Sequence, residues 1–293
     1  MKNFLQYSLL TCSLFIMSSF SLDRIDYRDG RHKNVCKQLK DKVLVYLIFV
    51  DSKETAPWTE FDIQSTLDSL AIAVEWLEKQ ARNYGISLHI ITDYFIGPTY
   101  TTIKKKLPQK TVYESIYTPG VRDGIKSINE WADKVAREAG SYLPMVAKDG
   151  IPEIENPRNK ERLIAYLRDR HMVESVALLY MVNNYFKDDI SIPINTMNTK
   201  DVEFALVSYK YPSEIAHNIL HLFGAADLFE TPLRRSKTKI EMAKKLFPND
   251  IMQDPYARNI NSLEIGSFTR YLIGWLNELR PEEKELLKDN AKF

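Results

Sequence analysis

The first strong signal along the chain is an unbroken apolar run, Val43-Leu44-Val45-Tyr46-Leu47-Ile48-Phe49-Val50. It is rich in β-branched and aromatic residues and has no polar alternation, which predicts a strand buried on both faces. From residue 60 the period changes. Ile63, Leu67, Leu70, Val74, Leu77, Ala81 and Tyr84 recur at helical spacing, predicting a helix over 60–84 that Gly85 ends. Residues 86–95 alternate and predict a second strand. Strand, long helix, strand is the signature of a sheet covered by a helix. The pattern then predicts a helix over 120–140, a Pro- and charge-rich stretch at 144–160 and a helix over 159–171. Strands follow over 175–182 and 203–209, joined by a polar loop, and the pattern turns helical from Pro212 to Phe223. A charged helix at 236–246, an irregular segment at 247–261 and a helix at 262–276 complete the reading. The expected fold class is α/β (α+β), a twisted mixed sheet backed by helices with a smaller C-terminal half.

Ahead of this pattern, residues 22–42 are polar and charged and predict a leader lying on the surface. Residues 1–21 read as a signal peptide. Lys2 supplies a positive start, Phe4 to Phe20 is apolar apart from small polar residues, and Ser19 and Ser21 give a small-x-small cleavage pattern. The expected location is secreted or periplasmic, with no membrane span after cleavage; an uncleaved anchor is the alternative reading of the same run. Cleavage removes Cys12 and leaves Cys36 alone, so no internal disulfide is expected. No repeat or long linker splits the 293 residues, so residues 43–293 are expected to form a single domain. Lys and Arg number 40 against 39 Asp and Glu, a balance that gives no reason to expect a nucleic-acid partner.

The chemistry concentrates in Ser213-Glu214-Ile215-Ala216-His217-Asn218-Ile219-Leu220-His221-Leu222-Phe223-Gly224-Ala225-Ala226-Asp227. In a helix, His217 and His221 stand one above the other on one face, the spacing two imidazoles need to share one ion. Gly224 lets the chain turn back, and Asp227 can then bring a carboxylate to the same ion. Two His and one Asp leave a fourth position open for water. Satisfied core or surface histidines are the plainer reading of two His four apart. The Gly and Asp at these offsets favour the metal. Ser213 suits the helix N-cap, and Glu214 an acid in the first turn.

The stretch resembles the extended zinc motif of the metzincin class of zincin metallopeptidases, in its variant ending in Asp. Pro248-Asn249-Asp250-Ile251-Met252 is similar to the family's Met-turn, a loop that places a methionine, here Met252, beneath the metal. The resemblance implies one zinc ion on His217, His221 and Asp227, in a cleft above a smaller C-terminal subdomain, with a peptide or protein ligand docked by strand addition. The aromatics Tyr180, Tyr185 and Phe186 lie near a strand that would edge that cleft. The family requires Glu directly after the first histidine, to take and return a proton during hydrolysis, and this chain has Asn218. An amide cannot carry that proton at neutral pH, so the expected protein is a zinc-binding, catalytically impaired peptidase homologue. An active peptidase is the alternative, with Glu214 as substitute base and Tyr256 as a transition-state stabiliser. A packed aromatic and a first-turn acid are their plainer readings. The basic run at 234–239 reads as a solvated loop and helix start, and Gly274-Trp275 as packing for the last helix.

Overall fold

Alternate residues of the first apolar run face opposite layers. In the computed structural model, which describes residues 25–26, 38–97, 102–108, 121–145, 156–183, 190–194, 202–208, 211–230 and 236–289, the run lies within strand β2 (Asp41–Asp51). Strand β1 (Ile25–Asp26) precedes it. Val43, Val45, Leu47 and Phe49 point into one apolar layer. Leu44, Tyr46, Ile48 and Val50 point into another. Both sets are buried, which explains the missing polar alternation. Strands β3 (Leu88–Phe95), β4 (Ile103–Lys104), β5 (Ser175–Val182), β6 (Ser191–Ile194) and β7 (Phe204–Val207) complete a six-stranded sheet of order β3-β2-β5-β7-β6, with β4 pairing the end of β2. The β2–β3, β2–β5 and β5–β7 pairs are parallel and β6–β7 antiparallel, so the sheet is mixed.

Helices cover both faces. On one side lie α1 (Glu60–Asn83) and α4 (Pro212–Leu222), packed with Leu70, Trp76, Leu77, Ile215, Ile219 and Leu220 into a single core. Thr59 caps α1, its hydroxyl accepting from the Asp62 amide at 3.1 Å. The C-terminal elements α5 (Lys237–Leu246), α6 (Ser267–Leu272) and α7 (Pro281–Lys284) follow, and Ala243, Phe268 and Leu286 join the same core. On the other side α2 (Val121–Gly140) and α3 (Asn159–His171) pack through Ile128, Trp131, Val135, Leu163 and Leu167. Full burial of each such large side chain is worth about 1.5–3 kcal/mol. Among the described residues, no helix is long and apolar enough to cross a membrane.

The mixed sheet backed by helices agrees with the expected class, and several local expectations are corrected. The 175–182 strand does not edge a cleft. It is central, and Tyr180 is fully buried, its hydroxyl donating to the Ala132 carbonyl at 3.0 Å. The polar loop after it contains β6, the last strand of the sheet among the described residues. Its Ile190, Ile192 and Ile194 alternate with Ser191 and Pro193, a short signal that the polar surroundings obscured. The leader is not wholly superficial. Leu39 is buried and its carbonyl accepts from the Trp275 indole at 2.6 Å, while β1 pairs with strand β8 (Lys288–Asp289). The helix expected over 262–276 shortens to α6, after a 3₁₀ turn at Ile260–Ser262. Trp275 packs into the core as expected. Residues 1–21, whose sequence reads as a signal peptide, Cys36, Tyr185, Phe186 and part of the basic run at 234–239 lie outside the described residues.

Candidate metal centre

Helix α4 begins with Tyr211 as its N-cap and Pro212 in its first turn, where a missing N–H costs nothing. Ser213 is therefore not the cap. Its hydroxyl donates instead to the Pro255 carbonyl at 2.9 Å, fastening the helix start to the C-terminal half. Every residue from Ser213 to Leu222 is buried.

The end of α4 builds the site. The Gly224 amide donates to the His221 carbonyl at 3.0 Å and the Ala225 amide to the Leu220 carbonyl at 3.1 Å. This pair of bonds closes a helix with its following residue in a positive-φ conformation, and Gly224 has φ 98°. The reversal sets the Ala225 carbonyl 3.0 Å from His221 Nδ1 and brings Asp227 back over the helix. His217 Nδ1 lies 3.0 Å from the Ile251 carbonyl. A carbonyl can only accept, so both histidines carry their N–H on Nδ1 and present bare Nε2 atoms.

Those two Nε2 atoms are 2.9 Å apart, and Asp227 Oδ1 lies 3.2 Å from that of His217 and 3.0 Å from that of His221. Three acceptor atoms thus converge in a buried place, which is unfavourable unless a cation or a proton stands between them. Four ligand atoms about 2.0 Å from a tetrahedral ion are about 3.3 Å from one another, close to the observed triangle. His217, His221 and Asp227 are therefore a group able to hold a metal ion. The imidazoles are 5% and 7% exposed and the Asp227 side chain 25%, so the carboxylate marks the side open to solvent.

The electrostatics of the bare triad agree. Burial, and then the neighbouring His221, lower the pKa of His217. Burial opposes charge on His221 as well, but the Asp227 carboxylate outweighs it and raises that pKa. Burial also works against the Asp227 charge, and the two histidines more than offset it, holding the carboxyl far below its usual range.

Asn218 is fully buried and committed to its neighbours. Its Nδ2 donates to Ser191 Oγ and to the Glu214 carbonyl, both at 2.9 Å, and its Oδ1 accepts from Ser191 Oγ at 3.1 Å. The amide thereby ties α4 to edge strand β6. Glu214 is buried, 3% exposed, and does not join the group of ligand atoms. Met252 is buried, its carbonyl accepting from the Leu228 amide at 2.8 Å, so the 250–252 turn touches both ligand-bearing segments. Tyr256 is 52% exposed and pairs edge-on with Tyr211 at the start of α4, with ring centroids 6.0 Å apart. Sequence reasoning missed the carbonyls of Ile251 and Ala225, which have no side-chain signature, and Ser191, which sits in the overlooked strand.

No known family model matches the chain, and no curated protein matches its sequence.

Proposed function

We propose that the protein is a zinc-binding, metzincin-like peptidase relative, impaired in catalysis, that holds a peptide or protein ligand beside the metal. The observation that carries this reading is the convergence of two bare imidazole nitrogens and one carboxylate oxygen within 2.9–3.2 Å, each histidine oriented by a backbone carbonyl. Two imidazoles and a carboxylate with an open fourth position suit zinc. Bound there, the ion supplies Lewis-acid polarisation of a carbonyl oxygen and a more acidic water.

The chain's own residues restrict the chemistry open to it. Next to His217, where the resembled family carries a proton-moving glutamate, stands an amide with no acidic proton to exchange. Its polar atoms are bonded to Ser191 and to the helix backbone. Losing general acid–base help lowers turnover by about 10²–10⁴-fold. Ligand binding has no such requirement. Among the described residues strand β6 ends the sheet, and it is bonded to α4 through Ser191, so an extended peptide added to that edge would run close to the metal.

The test combines metal analysis with a peptide-library assay. The expected result is one equivalent of zinc in the purified protein, no chelator-sensitive cleavage by the native chain, and cleavage by Asn218→Glu. Metal-free protein after zinc dialysis would refute the reading outright. Chelator-sensitive cleavage by the native chain would refute the impairment and move attention to Glu214.

A further inference from the structure

Asp250 is completely buried in the C-terminal half, yet its carboxylate is surrounded by donors. Oδ1 accepts from the Met252 amide at 2.8 Å, while Oδ2 accepts from the Gly266 amide at 2.9 Å and from Thr269 Oγ1 at 2.8 Å. The approach to Gly266 is so close that a Cβ there would stand 2.6 Å from Oδ2. One carboxylate therefore joins the 250–252 turn to the start of α6. Around it the Ile251 amide donates to the Glu264 carbonyl at 2.9 Å, and the Glu264 amide to the Asn249 carbonyl at 3.0 Å.

The turn held in this way carries two outward carbonyls. That of Ile251 accepts from His217 Nδ1 at 3.0 Å, and that of Met252 accepts from the amide of Leu228, the residue after Asp227, at 2.8 Å. We infer that Asp250 is a positioning residue of the metal centre, acting through these carbonyls to fix the ring of His217 and the segment that bears Asp227. A carboxylate offers acceptors to all three donors, whereas an amide must turn its NH₂ toward one of them, so the isosteric Asp250→Asn change disturbs the turn with little change of volume. The consequence for metal affinity rests on the zinc reading above; the consequence for the His217 ring does not.

The experiment reads the His217 tautomer by long-range ¹H–¹⁵N correlation in metal-free full-length protein at neutral to alkaline pH. Cobalt(II) binding, followed by its visible absorption, is measured alongside. Four proteins are compared: native, Asp250→Asn, Gly266→Ala and Thr269→Val. Gly266→Ala displaces the carboxylate without removing it, and so answers the question if Asp250→Asn does not fold. Thr269→Val weakens the same packing but leaves both backbone bonds to the carboxylate. The expected result is a single Nδ1–H tautomer in the native and Thr269→Val proteins and tautomer averaging in the other two. Cobalt affinity should fall by roughly 10–100-fold in those two, as removal of outer hydrogen-bond partners does elsewhere. A folded Asp250→Asn or Gly266→Ala protein that keeps the Nδ1–H tautomer, or a Thr269→Val protein that loses it equally, overturns the inference. If the native protein binds no cobalt while its tautomer still depends on Asp250, the zinc reading fails and the positioning role stands.

Discussion

At the scale of single residues, one nitrogen of each histidine is held by the backbone so that the other is left bare. Neither partner carbonyl, of Ile251 or of Ala225, can be recognised from residue type. The histidines and Asp227 were legible because side-chain chemistry and helical spacing are written in the sequence. The state of each ring was not, because a tautomer depends on what the remote chain places beside it. Asp250 gives a second residue-scale consequence. Burial raises its pKa from 3.8 to about 6, despite its three hydrogen bonds. A carboxyl that holds its proton more tightly when folded contributes stability that is fully present below pH 3.8 and lost as the pH rises through about 6. The stability of the native chain relative to Asp250→Asn should therefore fall by roughly 2 kcal/mol between pH 4 and pH 7. Urea unfolding in excess chelator measures this, and a difference independent of pH would refute it.

Among the elements, helix α4 matters most, and its end matters more than its middle. Gly224 adopts φ 98°, a conformation that an L side chain disfavours, and the two bonds around it place the Ala225 carbonyl and Asp227. Gly224→Ala should cost about 1–2 kcal/mol of stability. It should also weaken zinc binding more than a surface substitution of equal stability cost, as titration with a chromogenic competitor would show. The strongly periodic helices were legible to within a residue or two, since their apolar stripes face a single layer. Strand β6 was not. Four residues with Ser and Pro among them carry little pattern, and β6 is defined by pairing with β7 and by the Ser191–Asn218 bonds.

For the whole molecule, the His217, His221 and Asp227 group lies where α4 meets the C-terminal half, so an ion held there would join a helix to the segment beyond it. An ion that binds only the folded chain stabilises it by mass action, by about 2.7 kcal/mol at a hundredfold excess over Kd. Chelation should lower the melting temperature of zinc-loaded protein by roughly 5–10 °C. His217→Ala, melted with and without chelator, should show no such difference; an equal shift in both would place the stabilising ion elsewhere. What the sequence determined by itself is what local periodicity and residue chemistry can specify. These are the two-faced burial of β2, the spans of the long helices, the shared face of His217 and His221, and the acceptor character of Asp227. Tertiary structure alone decided that β5 is central, that β6 closes the sheet, and that Asn218 is bound to Ser191. It also decided that Asp250 stands behind the ring of His217. The physical reason is common to all of these. Strand order, backbone partners and buried hydrogen bonds join residues tens of positions apart, and no local pattern records which distant group will satisfy a given donor or acceptor.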